Sequence, residues 1–80
     1  INFKIDIYGT DSVLKDATDK VKKIGYTNVS TSVAKEGTEQ SVIEYNKEDY
    51  FVALRVAKEL GITDMIENND LVNKIGVTIK

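Results

Sequence analysis

From Phe3 the chain alternates. Phe3, Ile5 and Ile7 are apolar, with Lys4, Asp6 and Tyr8 between them, and this period of two predicts a half-buried strand over 3–8. Gly9-Thr10-Asp11-Ser12 breaks the strand and offers N-cap residues for a helix. The period then changes: Leu14, Ala17, Val21 and Ile24 follow at steps of three and four, the stripe of an amphipathic helix, and Gly25 stands where a left-handed residue closes one. Val29, Thr31 and Val33 predict a second strand, and Lys35-Glu36-Gly37-Thr38 a hairpin loop leading into a third strand at Ile43 and Tyr45. Asn46 is placed to cap a second helix, with Glu48 and Asp49 in its first turn. Tyr50, Ala53, Leu54, Ala57 and Leu60 form its predicted buried stripe, and Gly61 its cap. A short strand over 62–66, a polar turn at Glu67-Asn68-Asn69-Asp70 and a closing strand carrying Ile75, Val77 and Ile79 complete the pattern.

The two halves match. At the offset of 36 residues that relates Ile7 to Ile43, Ala17, Lys22, Gly25 and Thr27 recur as Ala53, Lys58, Gly61 and Thr63. Val21, Ile24, Asn28 and Val29 fall opposite Ala57, Leu60, Asp64 and Met65. The shared positions are strand, stripe and cap residues, so the repeat is structural. The strand-to-helix turns, where sites sit, are where the copies differ, which argues for at most one binding edge. The predicted fold is α+β: a β-α-β-β-α-β two-layer sandwich, pseudo-duplicated, with two helices packed on one face of a 4–5-stranded sheet. It forms a single domain over 1–80, with Lys4, Asp6, Ser30, Ser32, Glu44 and Thr78 on the uncovered face.

Composition narrows the chemistry. Charged residues make up 30% of the chain and the net charge is −2, with signs interspersed, so there is no basic footprint for nucleic acid. Lys20, Lys22 and Lys23 share their helix with Asp16 and Asp19 and read as a solvated face. Cys and His are absent, which removes thiolate chemistry and the commonest general base and metal ligand. No run approaches the roughly 18 apolar residues of a membrane span, and no signal peptide is visible.

The remaining candidates are few. Asp16 with Asp19, and Glu48 with Asp49, are exposed helix neighbours rather than a pair driven apart in pKa by a cleft. The Asp and Asn residues from Asp64 to Asp70 lack calcium-loop spacing and read as turn formers. Gly9-Thr10-Asp11-Ser12 carries one glycine, against the several of a phosphate loop, and reads as strand exit plus helix cap. Among the tyrosines, Tyr26 and Tyr50 are expected in the core, Tyr45 ends its strand, and Tyr8 lies on the polar face, where an aromatic ring with a polar tip suits sugar or peptide contacts.

Ser41-Val-Ile-Glu-Tyr45, followed by Ala53, Ala57 and Leu60-Gly61-Ile62, resembles the LytR C-terminal domain family, which shows a strand ending in Tyr and then a helix closing on Leu-Gly. Ile5-Asp-Ile-Tyr-Gly9-Thr10 stands where that family has an apolar strand followed by Asn-Gly, and Lys74-Ile-Gly-Val-Thr-Ile79 is similar to its terminal strand. Tyr8 replaces the family's Asn, and Asn46-Lys47-Glu48 replaces an Arg-Pro-Gly. The resemblance implies a non-catalytic, extracytoplasmic accessory domain of a LytR-CpsA-Psr cell-envelope protein, cut from a larger membrane-anchored parent. Such a parent attaches glycopolymers to the wall, so the implied partners are wall glycan or glycopolymer, or the parent's catalytic domain. No cofactor, metal, nucleic acid or direct membrane contact is expected. Candidate ligand contacts are Tyr8, Gly9, Thr10 and Asp11 at the first turn, and Tyr45 and Asn46 at the second. The alternatives are a protein–protein interaction or dimerisation module and a small-molecule-sensing regulatory domain.

Overall fold

The computed structural model describes residues 3–33 and 40–80. In chain order the elements are β1 (Lys4–Gly9), α1 (Asp11–Lys23), β2 (Val29–Val33), β3 (Val42–Tyr45), a 3₁₀ turn (Lys47–Asp49), α2 (Tyr50–Leu60), β4 (Met65–Glu67) and β5 (Lys74–Thr78). The five strands form one sheet in the order β2-β1-β5-β3-β4. This is the expected α+β sandwich, with both helices on one face.

Each half is a strand-helix-strand unit with parallel strands: β1 with β2, and β3 with β4. Because β5 is parallel to β1 and antiparallel to β3, the two units run in opposite directions and step outward toward opposite edges. The right-handed crossover preference then puts both helices on the same face, and α1 and α2 touch there. The units are related by a pseudo-twofold axis near β5, and only one strand fits on such an axis. That is why the closing strand has no counterpart in the repeat.

The core is this symmetry made apolar. Ile5, Ile7, Ile43, Ile75 and Val77 from the sheet meet Leu14, Ala17 and Val21 of α1, and Ala53, Val56 and Ala57 of α2. Repeated positions are buried together: Ile7 with Ile43, Ala17 with Ala53, Val21 with Ala57. Ile5, Ile7, Ile43 and Ile75 are fully buried, each stabilising the fold by about 1.5–3 kcal/mol relative to exposure. The helices also stop in the same way. Gly25 (φ 109°) and Gly61 (φ 70°) take the left-handed conformation, and the following N–H groups turn back, Tyr26 to Val21 O at 3.3 Å and Ile62 to Ala57 O at 2.9 Å.

Three expectations need correction. The expected hairpin between the second and third strands does not exist, because β2 lies at the edge beyond β1 and β3 lies beyond β5. The α1 crossover carries β2 outward, and β5 takes the slot on the other side of β1. The loop assigned to that hairpin, Lys35-Glu36-Gly37-Thr38, lies outside the described residues. Tyr50 is 41% exposed rather than core. It opens α2 after β3 has ended, so its ring lies against Tyr45 (5.7 Å between centroids) instead of over the sheet. The α2 stripe is also rotated: Val56 is fully buried and Leu54 only half-buried, because a stripe centred on Ala53 and Leu60 takes in position 56.

Ile43→Ala is expected to cost about 2–5 kcal/mol, since it empties a fully buried site on the sheet. Gly61→Ala is expected to cost about 1 kcal/mol, because a Cβ is strained at that left-handed φ although nothing lies within 4 Å of it. Urea unfolding of the two variants checks both values.

Candidate functional site

The sequence-predicted contacts divide into two groups that the fold keeps apart. β1 and β3 run antiparallel, so the turn carrying Tyr8, Gly9, Thr10 and Asp11 and the turn carrying Tyr45 and Asn46 lie at opposite ends of the sheet. No single site joins them.

At the first turn, Gly9 is buried and has no room for a side chain. A Cβ there would stand 2.8 Å from Val13 Cγ2 and 3.3 Å from the Ile79 carbonyl oxygen. Thr10 opens α1 through its backbone: its carbonyl accepts from Val13 N and Leu14 N at 3.1 and 3.0 Å. Its side chain makes no capping bond, and its Oγ1 lies 3.4 Å from Ser12 Oγ. Asp11 is exposed in the first helical turn, where a negative charge favours the helix dipole.

At the second turn the polar groups are occupied. Asn46 Oδ1 accepts from Glu48 N at 2.9 Å and so caps the 3₁₀ turn rather than α2, whose N-cap is Asp49 without a side-chain bond, while Asn46 Nδ2 donates to Leu71 O at 3.1 Å. Asn69 Oδ1 accepts from Lys47 N, Asn68 N donates to Tyr45 O at 2.7 Å, and Asn68 Nδ2 donates to Glu44 Oε1 at 3.1 Å. Asn46, Asn68 and Asn69 thus fasten the end of β3 to the turn after β4. The sequence marked this stretch as a polar turn but not as a bracket, since its partners lie more than 20 positions away. Tyr45 points to the helix side, next to Tyr50, whose ring meets the 79%-exposed Phe51 edge-on.

Tyr8 is different. It is 40% exposed on the sheet face that no helix covers, between Ser32 of β2 and Thr78 of β5. In the neighbouring row of that face lie Ser30, Asp6, Gly76, Glu44 and Ile66. A Cβ added at Gly76 would meet nothing within 4 Å, so the glycine leaves a shallow notch between two carboxylates that stand two strands, or about 10 Å, apart. Asp6 Oδ1 pairs with Lys4 Nζ at 3.5 Å, and Glu44 is held by Asn68. The face therefore presents the hydroxyls of Ser30, Ser32 and Thr78 and the carboxylates of Asp6 and Glu44 beside the ring of Tyr8. Period-two alternation in Lys74-Ile-Gly-Val-Thr already put Gly76 on this side; the register that sets it between Asp6 and Glu44 needed the sheet.

A second concavity lies on the helix side. An open groove of about 450 Å³ runs between α1 and β2, with Asp11, Lys15, Asp19 and Lys22 on its helix wall and Leu14, Thr18, Val29 and Thr31 deeper. Among the described residues no group of three or more carboxylates is gathered to hold a metal ion, and no helix is long and apolar enough to cross a membrane.

No family model matches the chain, and no curated protein sequence matches it. Its structure is similar to the solution structure of the C-terminal domain of RV0431, with a TM-score of 0.67 and 16% identity, covering 95% of this chain and 70% of that one. The likeness shows a shared fold.

Asn46→Ala is expected to destabilise the domain by about 1–2 kcal/mol, because it removes a cap and leaves the Leu71 carbonyl unpaired. Thr10→Ala, whose side chain caps nothing, is expected to change stability by less than about 0.5 kcal/mol. Thermal or urea unfolding of the pair checks the contrast.

Proposed function

We propose that this chain is a non-catalytic accessory domain of the LytR C-terminal kind, serving an extracytoplasmic cell-envelope protein by binding or positioning wall glycan. The observation that carries the proposal is Tyr8: a half-exposed ring on the uncovered sheet face, flanked by the hydroxyls of Ser32 and Thr78. An apolar ring face with hydroxyls beside it matches a sugar ring, which offers C–H groups on its faces and hydroxyls on its edge. A sheet face left uncovered by helices is open along the strands and suits an extended polymer better than a small metabolite, which is usually enclosed by a pocket. The shared fold with a C-terminal domain supports the accessory role, and at the second turn the side chains of Asn46, Asn68 and Asn69 are already engaged in internal hydrogen bonds.

A protein-interaction role is the second reading. It is favoured by the uncharged outer edge of β2, Val-Ser-Thr-Ser-Val.

Adding peptidoglycan fragments to isotope-labelled protein is expected to shift the amide signals of Tyr8, Ser32 and Thr78, and Tyr8→Ala is expected to weaken binding about tenfold. The absence of any shift on this face at millimolar fragment would refute glycan binding.

A further inference from the structure

We infer that the outer edge of β2, together with the flank of α1 beside it, is a twofold docking surface for a second copy of this chain. The inference is independent of whether the uncovered sheet face binds glycan.

Among the described residues the edge is chemically open. Ile5 N donates to Asn28 O at 2.9 Å, and in the parallel register that follows, Ser30 and Ser32 turn their backbone groups toward β1. Val29, Thr31 and Val33 therefore direct theirs away from the sheet, and among the described residues nothing pairs with them. Natural edges are usually blunted by charge, proline, a bulge or shortness. β4, the opposite edge, is three residues long and carries Glu67. β2 has five residues, no charge and no proline.

The sequence of the edge selects its partner. Val29-Ser30-Thr31-Ser32-Val33 reads the same in both directions. An antiparallel pair centred on Thr31 sets Thr31 against the partner's Thr31, and Val29 against the partner's Val33. In that register every outward-turned residue meets another outward-turned residue, giving about six backbone hydrogen bonds. Hydroxyl and β-branched side chains face their own kind across the seam, a favourable cross-strand pairing. The two five-stranded sheets become one.

The helix flank obeys the same axis. A twofold perpendicular to the sheet keeps both α1 helices on one face, antiparallel to each other. α1 rests over β1 and β2, so its axis lies about one strand spacing from the seam, and the two helices come about 10 Å apart, a normal packing distance. The groove wall reads Asp11, Lys15, Asp19, Lys22: negative, positive, negative, positive. Run antiparallel against itself, this series sets Asp11 against the partner's Lys22 and Lys15 against the partner's Asp19. Every contact is between opposite charges. The strand and the charge series are each self-complementary about a twofold axis, so two separate features of the sequence fit the same symmetry.

Sedimentation equilibrium from micromolar to millimolar protein tests the inference. The wild-type mass is expected to rise from 8.9 kDa toward twice that value. Thr31→Pro removes an outward N–H from an edge position where proline is compatible with the monomer fold, and it is expected to stay monomeric. Lys15→Glu, on the exposed helix flank, is expected to weaken association about tenfold, and Lys15→Glu with Asp19→Lys to restore it. A wild-type protein that remains at 8.9 kDa at millimolar concentration overturns the inference. So does a dimer that the Lys15→Glu change leaves unaffected, whether or not Thr31→Pro folds.

Discussion

The structure depends on β5 lying between the two halves. A strand-helix-strand unit alone sets only two strands beneath its helix. β5 pairs with β1 through Ile5–Ile75 and Ile7–Val77, and with β3 through Ile43–Val77 and Tyr45–Ile75. Ile75 and Val77 are both fully buried, so one pair of side chains belongs to the cores of both units. The strand must run parallel to one unit and antiparallel to the other, and here the internal symmetry is broken.

That arrangement has a chemical consequence. A pseudo-twofold axis sends the two strand-to-helix turns to opposite ends of the sheet, so polar residues that occupy matching places in the repeat cannot combine. The two turns are also built differently. Gly9 is held by the approach of Val13 and the Ile79 carbonyl, and Asn46 is consumed by its bonds to Glu48 and Leu71. What both units share is the uncovered face and the edges, where the ladder has brought Asp6, Gly76 and Glu44 into one row. The two edges are not equivalent, because β4 is short and acidic while β2 is longer and neutral. Both surfaces proposed for recognition, around Tyr8 and along β2, belong to the first unit.

Much was legible in the sequence, and for a physical reason. Strand and helix periods, and the glycines that end α1 and α2, are local properties, and the repeat tested each of them twice. The placement of Lys4, Asp6, Ser30, Ser32, Glu44 and Thr78 on one side followed from alternation alone and agrees with the register. The errors arose where a local rule met the length or position of something distant. Tyr50 has the right phase for the stripe, but the four-residue β3 ends before reaching it. Successive strands joined by a short segment normally pair, and 33 to 42 looked like such a join. Yet the α1 crossover had already carried β2 to the far edge.

By itself the sequence determined the principal strands and helices, the glycines that end the helices, the two-layer fold with its internal repeat, and the polar side of the sheet. Tertiary structure alone decided the strand order, the separation of the two turns, the Asn46–Asn68–Asn69 bracket, and the neighbours of Tyr8 and Gly76. The division follows the range of the forces. Side-chain periodicity and backbone preference act over a few residues and are written in order along the chain. Strand order and register are set by which distant surfaces bury the most apolar area together, and no local stretch of sequence carries that information.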